Sequence, residues 1–248
     1  AAHAIAELMD NSIQANANTV ELLCLERQFQ GSQRNTWQID RLAVADNGKG
    51  MDAKTLRMAL QFGNGTHLND RSGIGRFGMG LPNASISQCR RVDVWSWQGN
   101  PDNAVYSYID LDEVRDQSYS EVPQPTAAAL PKEWRQCMDQ VGDSGTLVVW
   151  SKLDRIIWRT ARSLIRHSEH LIGRMYRYFL VDNQVKIRLT HFNEDQLSVP
   201  GEHERWAMPN DPSYRIVPSS APKPYDQEPM FEPYGEPIEK SISFDNQV

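Results

Sequence analysis

The 248-residue sequence predicts a fold in which α-helices and β-strands are mixed. Two observations carry this prediction. Apolar residues recur at helical spacing near the start of the chain and again over residues 157–180, and short runs rich in Val, Ile and aromatic residues lie between these segments. Hydrophobic residues make up 40% of the chain, which is enough for a core, and the length fits one large domain or one domain with part of another.

Four segments predict helices. The first carries Ile5, Leu8 and Met9 on one helical face. Asp52 is a residue type that caps helices, and Pro82 suits a first helical turn because its missing N–H is not needed there. The four predicted helices cover residues 1–17, 52–60, 82–88 and 157–180.

Six runs predict strands. In each, apolar residues either alternate with polar ones or form a short continuous stretch bounded by turn residues. They cover residues 20–25, 39–45, 91–97, 104–111, 146–151 and 185–191. Residues 28–35 predict a polar turn, and residues 116–143 carry no pattern that predicts an element.

Proline marks a change in the chain after Pro200. Nine of the 14 prolines fall between Pro200 and Pro237, which predicts a linker or an extended wrap rather than a helix or a central strand. We therefore expect one domain over residues 1–192 and a Pro-rich linker over 193–248 that leads to the next domain. The first residue is not Met, and residues 241–244 alternate like a strand cut short, so we expect a longer protein.

Charge and cysteine content exclude some classes of protein. A net charge of −6 argues against a globally basic nucleic-acid binder, although local basic patches are compatible with it. Cys24, Cys89 and Cys137 are odd in number and lack metal-type spacing, which favours reduced thiols in a cytoplasmic protein, or a nuclear one in a eukaryote. No run approaches the roughly 20 apolar residues that span a bilayer.

Two glycine-rich segments predict a nucleotide pocket. Asp46–Met51 ends a predicted strand, where a carboxylate can accept the amine hydrogen of adenine and Gly48 and Gly50 let backbone approach the base. Gly73–Leu81 offers backbone amides that can cradle phosphates. Alone, the first also fits a hairpin turn and the second is a weak signal that matches neither a Rossmann fingerprint nor a P-loop.

Glu7 and Asn11 lie four residues apart and therefore share a face of the first predicted helix. A carboxylate there can take a proton from an attacking water, and an amide oxygen can ligate a hard cation such as Mg²⁺. In isolation, the same pair also fits a solvated helix face.

In this order, the motifs resemble those of the GHKL superfamily, which has the Bergerat ATP-binding fold and includes gyrase-type topoisomerases, ninety-kilodalton heat-shock chaperones, histidine kinases and MutL. The resemblance covers about residues 1–192 and looks closest to MORC-type, MutL-like and chaperone-like ATPases. The four segments that carry it are Glu7–Ser12, Asp46–Met51, Gly75–Gly80 and, more weakly, Ser144–Thr146.

The resemblance implies an α/β (α+β) two-layer sandwich, with a mixed, mostly antiparallel sheet, helices on one face, and ATP between the helices and a lid. Glu7 would be the general base, Asn11 the Mg²⁺ ligand, and Asp46 and Thr146 the adenine contacts. Residues 63–71 would form the mobile lid. The remaining nucleotide contacts would be Gly48, Gly50, Met51, Gly75, Arg76, Phe77, Gly78, Met79 and Gly80.

The implied function is Mg²⁺-dependent ATP binding and hydrolysis, with lid closure and ATP-linked homodimerisation in a DNA-associated or chaperone-like protein. A transducer domain would follow the ATPase domain. Histidine kinases usually carry asparagine where Glu7 stands, so the carboxylate favours an ATPase. A protein kinase of the same fold, and a nucleotide-sensing module without turnover, are the alternatives.

Arginines recur at steps of three and four residues along the last predicted helix and just before it. They are compatible with a phosphate-binding face for DNA, and a solvated face paired with carboxylates is the favoured interpretation. The arginines are Arg155, Arg159, Arg162, Arg166, Arg174 and Arg177.

Overall fold

A computed structural model describes residues 1–30, 35–61, 80–119, 121–232 and 234–235. Its helices are α1 (Ala2–Gln14), α2 (Ala53–Leu60), α3 (Gly80–Ile86), α4 (Leu111–Arg115), α5 (Lys132–Cys137), α6 (Ala161–Met175) and α7 (Arg177–Val181). Its strands are β1 (Thr19–Phe29), β2 (Thr36–Asp46), β3 (Cys89–Gln98), β4 (Val105–Asp110), β5 (Thr126–Ala127), β6 (Ser144–Leu153), β7 (Lys186–Asn193) and β8 (Arg205–Trp206).

All eight strands form one sheet in the order β5-β4-β3-β6-β2-β1-β7-β8. Every neighbouring pair is antiparallel except β1 and β7, which are parallel. A parallel pair needs a crossover connection, and the chain returns to β7 through α6 and α7. The predicted mixed, mostly antiparallel sheet is therefore confirmed.

The main core lies between one face of the sheet and the helices. Strand side chains alternate between faces, so Val20, Leu22 and Val44 point to the same side, where Ile5 of α1 and Leu164 of α6 pack on them. The opposite face carries a smaller cluster that includes the buried rings of Trp97, Trp134 and Phe192. The short helix α5 covers this second face, which adds one helix to the predicted one-sided layer.

The sequence prediction differs from the structure in several places. β1 runs through Phe29, into the predicted polar turn over residues 28–35. Residues 157–180 were predicted as one helix, but α6 begins only at Ala161, because the Thr160 hydroxyl accepts the Ser163 N–H and caps it, and Tyr176 separates α6 from α7. Residues 116–143, which carried no pattern, contain β5 and α5.

The start of the Pro-rich segment packs along the edge of the sheet. β8 pairs with β7, the Ala207 N–H donates to the Ile187 carbonyl at 2.8 Å, and the Asn210 N–H donates to the Gly173 carbonyl at 3.0 Å. The described part of this segment is thus an extended wrap on the domain. The division at residue 192 stays a prediction. Within the described ranges, no helix has the length and apolar character needed to cross a membrane.

Candidate functional site

Helix α1 brings Glu7 close to the start of α3. Ile5 and Met9 are fully buried and fix the helix on the sheet, while Glu7 is exposed. A Cβ placed on Gly80 would lie 3.1 Å from Oε2 of Glu7, so this carboxylate lies directly beside the first residue of α3. Asn11 is half-buried, and its side chain forms no hydrogen bond with the described residues. Its amide oxygen is therefore free to act as a ligand.

Asp46 is a buried carboxylate at the end of β2, with 8% of the residue exposed. The Gly48 N–H donates to its Oδ1 at 2.8 Å, and the Ser12 hydroxyl of α1 donates to its Oδ2 at 2.8 Å. Burial raises the pKa of Asp46 to about 6, and hydrogen bonds from Gly48, Ser12 and the Thr146 N–H oppose this shift. Through this hydrogen bond, Ser12 connects the helix that carries Glu7 to the carboxylate that is predicted to bind adenine.

Packing inside the protein requires both glycines of the turn after Asp46. A Cβ on Gly48 would lie 2.8 Å from Cβ of Ala15, at the end of α1. Gly50 has a φ of +65°, and a Cβ there would lie 2.0 Å from the Trp97 carbonyl oxygen. The turn is therefore pressed between α1 and β3, which explains these residue types without any ligand.

Thr146 lies beside Asp46 on the neighbouring strand, in direct register across β2 and β6. Its hydroxyl is 2.9 Å from the Ser96 hydroxyl of β3, and Ser96 also accepts the Met51 N–H at 2.8 Å. The structure thus brings Asp46, Met51 and Thr146 together, and the fully buried Ser96 links the last two.

Sequence reasoning missed Ser12 and Ser96 as members of this cluster. Each carried a signal: Ser12 lies four residues after Leu8, on the buried face of α1, and Ser96 is a polar residue between two tryptophans of a strand. A buried hydroxyl needs a hydrogen-bond partner, so both positions pointed to a polar neighbour.

The phosphate-binding part of the prediction lies outside the described residues. This holds for Gly75, Arg76, Phe77, Gly78 and Met79, and for the predicted lid over residues 63–71. Gly80 is the member of that loop that the structure describes.

The arginines around α6 divide into two groups. Arg155 pairs with Asp154, and Arg177 lies 3.9 Å from Asp211. The others are exposed and form no ion pair with a described carboxylate; they are Arg159, Arg162, Arg166 and Arg174. These four side chains therefore lie on a solvated face, without a carboxylate partner among the described residues.

Comparison with known proteins identifies a family for most of the domain. Residues 1–146, more than half of the chain, match the family described as Histidine kinase-, DNA gyrase B-, and HSP90-like ATPase. A solved structure described as "Crystal Structure of N terminal domain of a DNA repair protein" is 17% identical, with a TM-score of 0.47 over 82% of this chain and 50% of that chain. The chain thus spans about half the length of that structure. No curated protein matches.

The raised pKa of Asp46 predicts how stability depends on pH. The folded-state pKa of about 6 lies above the ordinary value of 3.8, so the folded state holds this proton more tightly than the unfolded chain does. The resulting stabilisation is fully present below about pH 4 and is lost as the pH rises through about 6. Asparagine does not ionise, so the Asp46→Asn variant does not lose this stabilisation as the pH rises. The unfolding free energy of the variant minus that of the wild type should therefore increase by up to about 3 kcal/mol between pH 4 and pH 7. Urea unfolding of both proteins at each pH measures the difference, and a constant difference would contradict the prediction.

Proposed function

The chain belongs to the Histidine kinase-, DNA gyrase B-, and HSP90-like ATPase family, and from that premise we propose that it binds ATP with Mg²⁺ and hydrolyses the γ-phosphate. One observation supports the proposal above the others. Helix α1 presents the Glu7 carboxylate beside Gly80, and the same helix holds the buried Asp46 carboxylate through Ser12. A single rigid element thus links the predicted hydrolytic end of the pocket to the predicted base-binding end.

Asp46 would select adenine through its remaining lone pairs. Each carboxylate oxygen already accepts one hydrogen bond from the protein, which fixes the orientation of the group and leaves further lone pairs for a ligand. An ionised carboxylate only accepts hydrogen bonds, so it favours the 6-amino group of adenine and repels the 6-oxo group of guanine. The Thr146 hydroxyl, next to Asp46 in register, would complete the edge of the base.

Asp46→Asn should lower the affinity for ATP by about tenfold or more, because its amide group replaces an acceptor by a donor where the amine binds. Titration calorimetry with a non-hydrolysable ATP analogue measures this. Asp52→Asn is the matched control, since Asp52 is an exposed carboxylate just after the same turn, where asparagine can still cap α2. Equal affinity in wild type and Asp46→Asn would remove Asp46 from the base site.

Glu7 would act as the general base that takes a proton from the attacking water. It is exposed and forms no ion pair with a described cation, so its carboxylate is available to a water in the pocket. The backbone around Gly80, with the rest of the glycine loop from Gly75 to Met79, would contact the phosphates. Asn11 would supply one amide oxygen to Mg²⁺. Such an ion is usually held by one or two protein oxygens together with phosphates and water, so a single amide suits it.

Glu7→Gln should lower kcat for phosphate release by about 10²- to 10⁴-fold, because the amide cannot take the proton. ATP affinity should stay within about threefold of wild type, since the side chain keeps its size. Phosphate release and nucleotide titration measure the two quantities, and Glu202→Gln on the exposed tail is the control. Lost binding with surviving hydrolysis would contradict the assigned role.

The same assay separates the alternative functions. A kinase of this fold would transfer labelled phosphate to protein instead of releasing it, and a nucleotide sensor would release phosphate no faster than Glu7→Gln. Closure of the lid over residues 63–71, ATP-linked pairing of two copies, and a transducer domain after residue 192 are proposed on the family resemblance alone.

A second candidate function is binding to DNA through α6. The observation that favours it is the unpaired arginines, in a chain where many other arginines do form ion pairs. On α6, Arg162, Arg166, His170 and Arg174 follow at steps of four residues, which places them about 6 Å apart along one face of the helix. A row of this kind can contact successive phosphates of a nucleic-acid backbone.

Replacing Arg159, Arg162 and Arg166 by Gln should weaken binding to a short DNA duplex. The slope of log affinity against log salt should fall by roughly 0.9 for each phosphate contact removed. Fluorescence anisotropy at several salt concentrations measures both. The control replaces Arg27, Arg115 and Arg135 by Gln. These three pair with carboxylates, and their replacement changes the net charge by the same amount. Binding that is absent in wild type, or equally weakened in both triple variants, would exclude this surface.

A further inference from the structure

Three polar side chains form one row across three neighbouring strands. Asp46 on β2 stands opposite Thr146 on β6, and Thr146 stands opposite Ser96 on β3, each pair in direct register. Directly opposed residues of antiparallel strands project from the same face of a sheet. The row therefore lies on the face that α1 covers, and Ser96 is its end on the side away from Asp46.

Ser96 places a hydroxyl in an otherwise apolar part of the core. Val92 and Val94, the preceding residues of β3 on the same face, are fully buried, and so is Ser96. A small apolar residue would fill this space as well, so packing alone does not require a hydroxyl. Because a buried hydroxyl is costly unless it forms hydrogen bonds, the partners of Ser96 indicate what it does.

The hydrogen-bonding capacity of Ser96 is fully used. The Met51 N–H donates to its Oγ at 2.8 Å, its Oγ donates to the Gly145 carbonyl at 3.0 Å, and the Thr146 hydroxyl lies 2.9 Å away. A hydroxyl has one donor site and two acceptor sites, so Ser96 forms all three hydrogen bonds when Thr146 donates to it. The Thr146 hydroxyl is thereby held in one orientation.

A second serine holds the turn at Gly48 without holding Thr146. Ser144 lies two residues before Thr146 on β6, and its Oγ donates to the Gly48 carbonyl at 2.7 Å. Within the described part of the chain, its side chain forms no hydrogen bond with the Thr146 side chain. Ser96 differs because one hydroxyl contacts both the turn, at Met51, and the Thr146 side chain.

We propose that Ser96 is a positioning residue for the base of ATP, which holds the Thr146 hydroxyl and the Met51 end of the turn in the geometry that receives adenine. This role rests on the proposed ATPase function. Ser96 is fully buried, so it acts on the base through Thr146 and Met51 and does not contact a ligand itself. Glu7 lies beside Gly80, at the predicted hydrolytic end, so the effect should fall on ATP affinity and not on the chemical step.

Ser96→Ala should lower the affinity for a non-hydrolysable ATP analogue by about five- to tenfold, as expected for the net loss of one hydrogen bond. The kcat at saturating ATP should stay within about twofold of wild type. Titration calorimetry and phosphate release measure the two quantities. Ser107→Ala is the matched control, because Ser107 is a similarly buried serine of β4 whose hydroxyl donates to the Pro123 carbonyl at 2.9 Å. It should lose stability without losing ATP affinity.

A double-mutant cycle with Thr146→Val separates positioning from a general loosening of the pocket. Valine removes the hydroxyl and keeps the shape of the side chain. Once that hydroxyl is gone, Ser96→Ala has less left to disturb, so the loss of affinity in the double variant should be at least about threefold smaller than the product of the two single losses. Ser144→Ala is the control partner, and its loss should multiply with that of Thr146→Val.

Two results would overturn the positioning role and leave the proposed ATPase intact. One is multiplicative losses in the cycle of Ser96 and Thr146, and the other is an ATP affinity in Ser96→Ala equal to that in Ser107→Ala. If Ser96→Ala fails to fold, Ser96→Cys takes its place in the cycle, because a thiol has a similar shape and forms weaker hydrogen bonds.

Failure of the wild-type chain to bind ATP would reject the proposed function, and the role of Ser96 at the base with it. The contact between the two hydroxyls is tested without nucleotide by urea unfolding of the same variants. If Ser96 and Thr146 share a hydrogen bond, the double variant should lose less stability than the sum of the two single losses. Additive losses would show that the two side chains are not coupled.

Discussion

The hydrogen bond between Ser12 and Asp46 is the constraint on which the rest of the site depends. It joins a helix to the end of a strand, and the same carboxylate also holds the Gly48 turn and receives the Thr146 N–H. Three pieces of chain that are distant in sequence therefore meet at one buried acid. A buried acid with partners of this kind is costly to rearrange, so this cluster of side chains is held in place without any ligand.

Much of this arrangement could be predicted from the sequence because its signals are local. The apolar face of α1, the cap at Asp52 and the glycine turn after Asp46 each follow from neighbouring residues, and each is found where it was predicted. The order of the motifs then indicated that Asp46 and Thr146 belong together, and the sheet places them in register.

The parts that could not be predicted depend on contacts between distant segments. Nothing near Tyr176 in sequence indicates that its hydroxyl reaches Asp10, because that contact exists only once α6 packs on α1. Helix α5 escaped prediction for a similar reason: Trp134 and Cys137 are buried by the far face of the sheet, and so short a helix has little propensity of its own.

The two ends of the sheet have a feature in common that bears on handling this protein. Each outermost strand, β5 and β8, is only two residues long, so neither presents a long row of unpaired backbone groups to another molecule. β8 belongs to the Pro-rich wrap, beyond residue 192. A chain truncated at that position would lose β8 and leave the outer backbone groups of β7 unpaired, which invites strand-to-strand self-association. The wrap therefore protects this edge of the sheet from self-association.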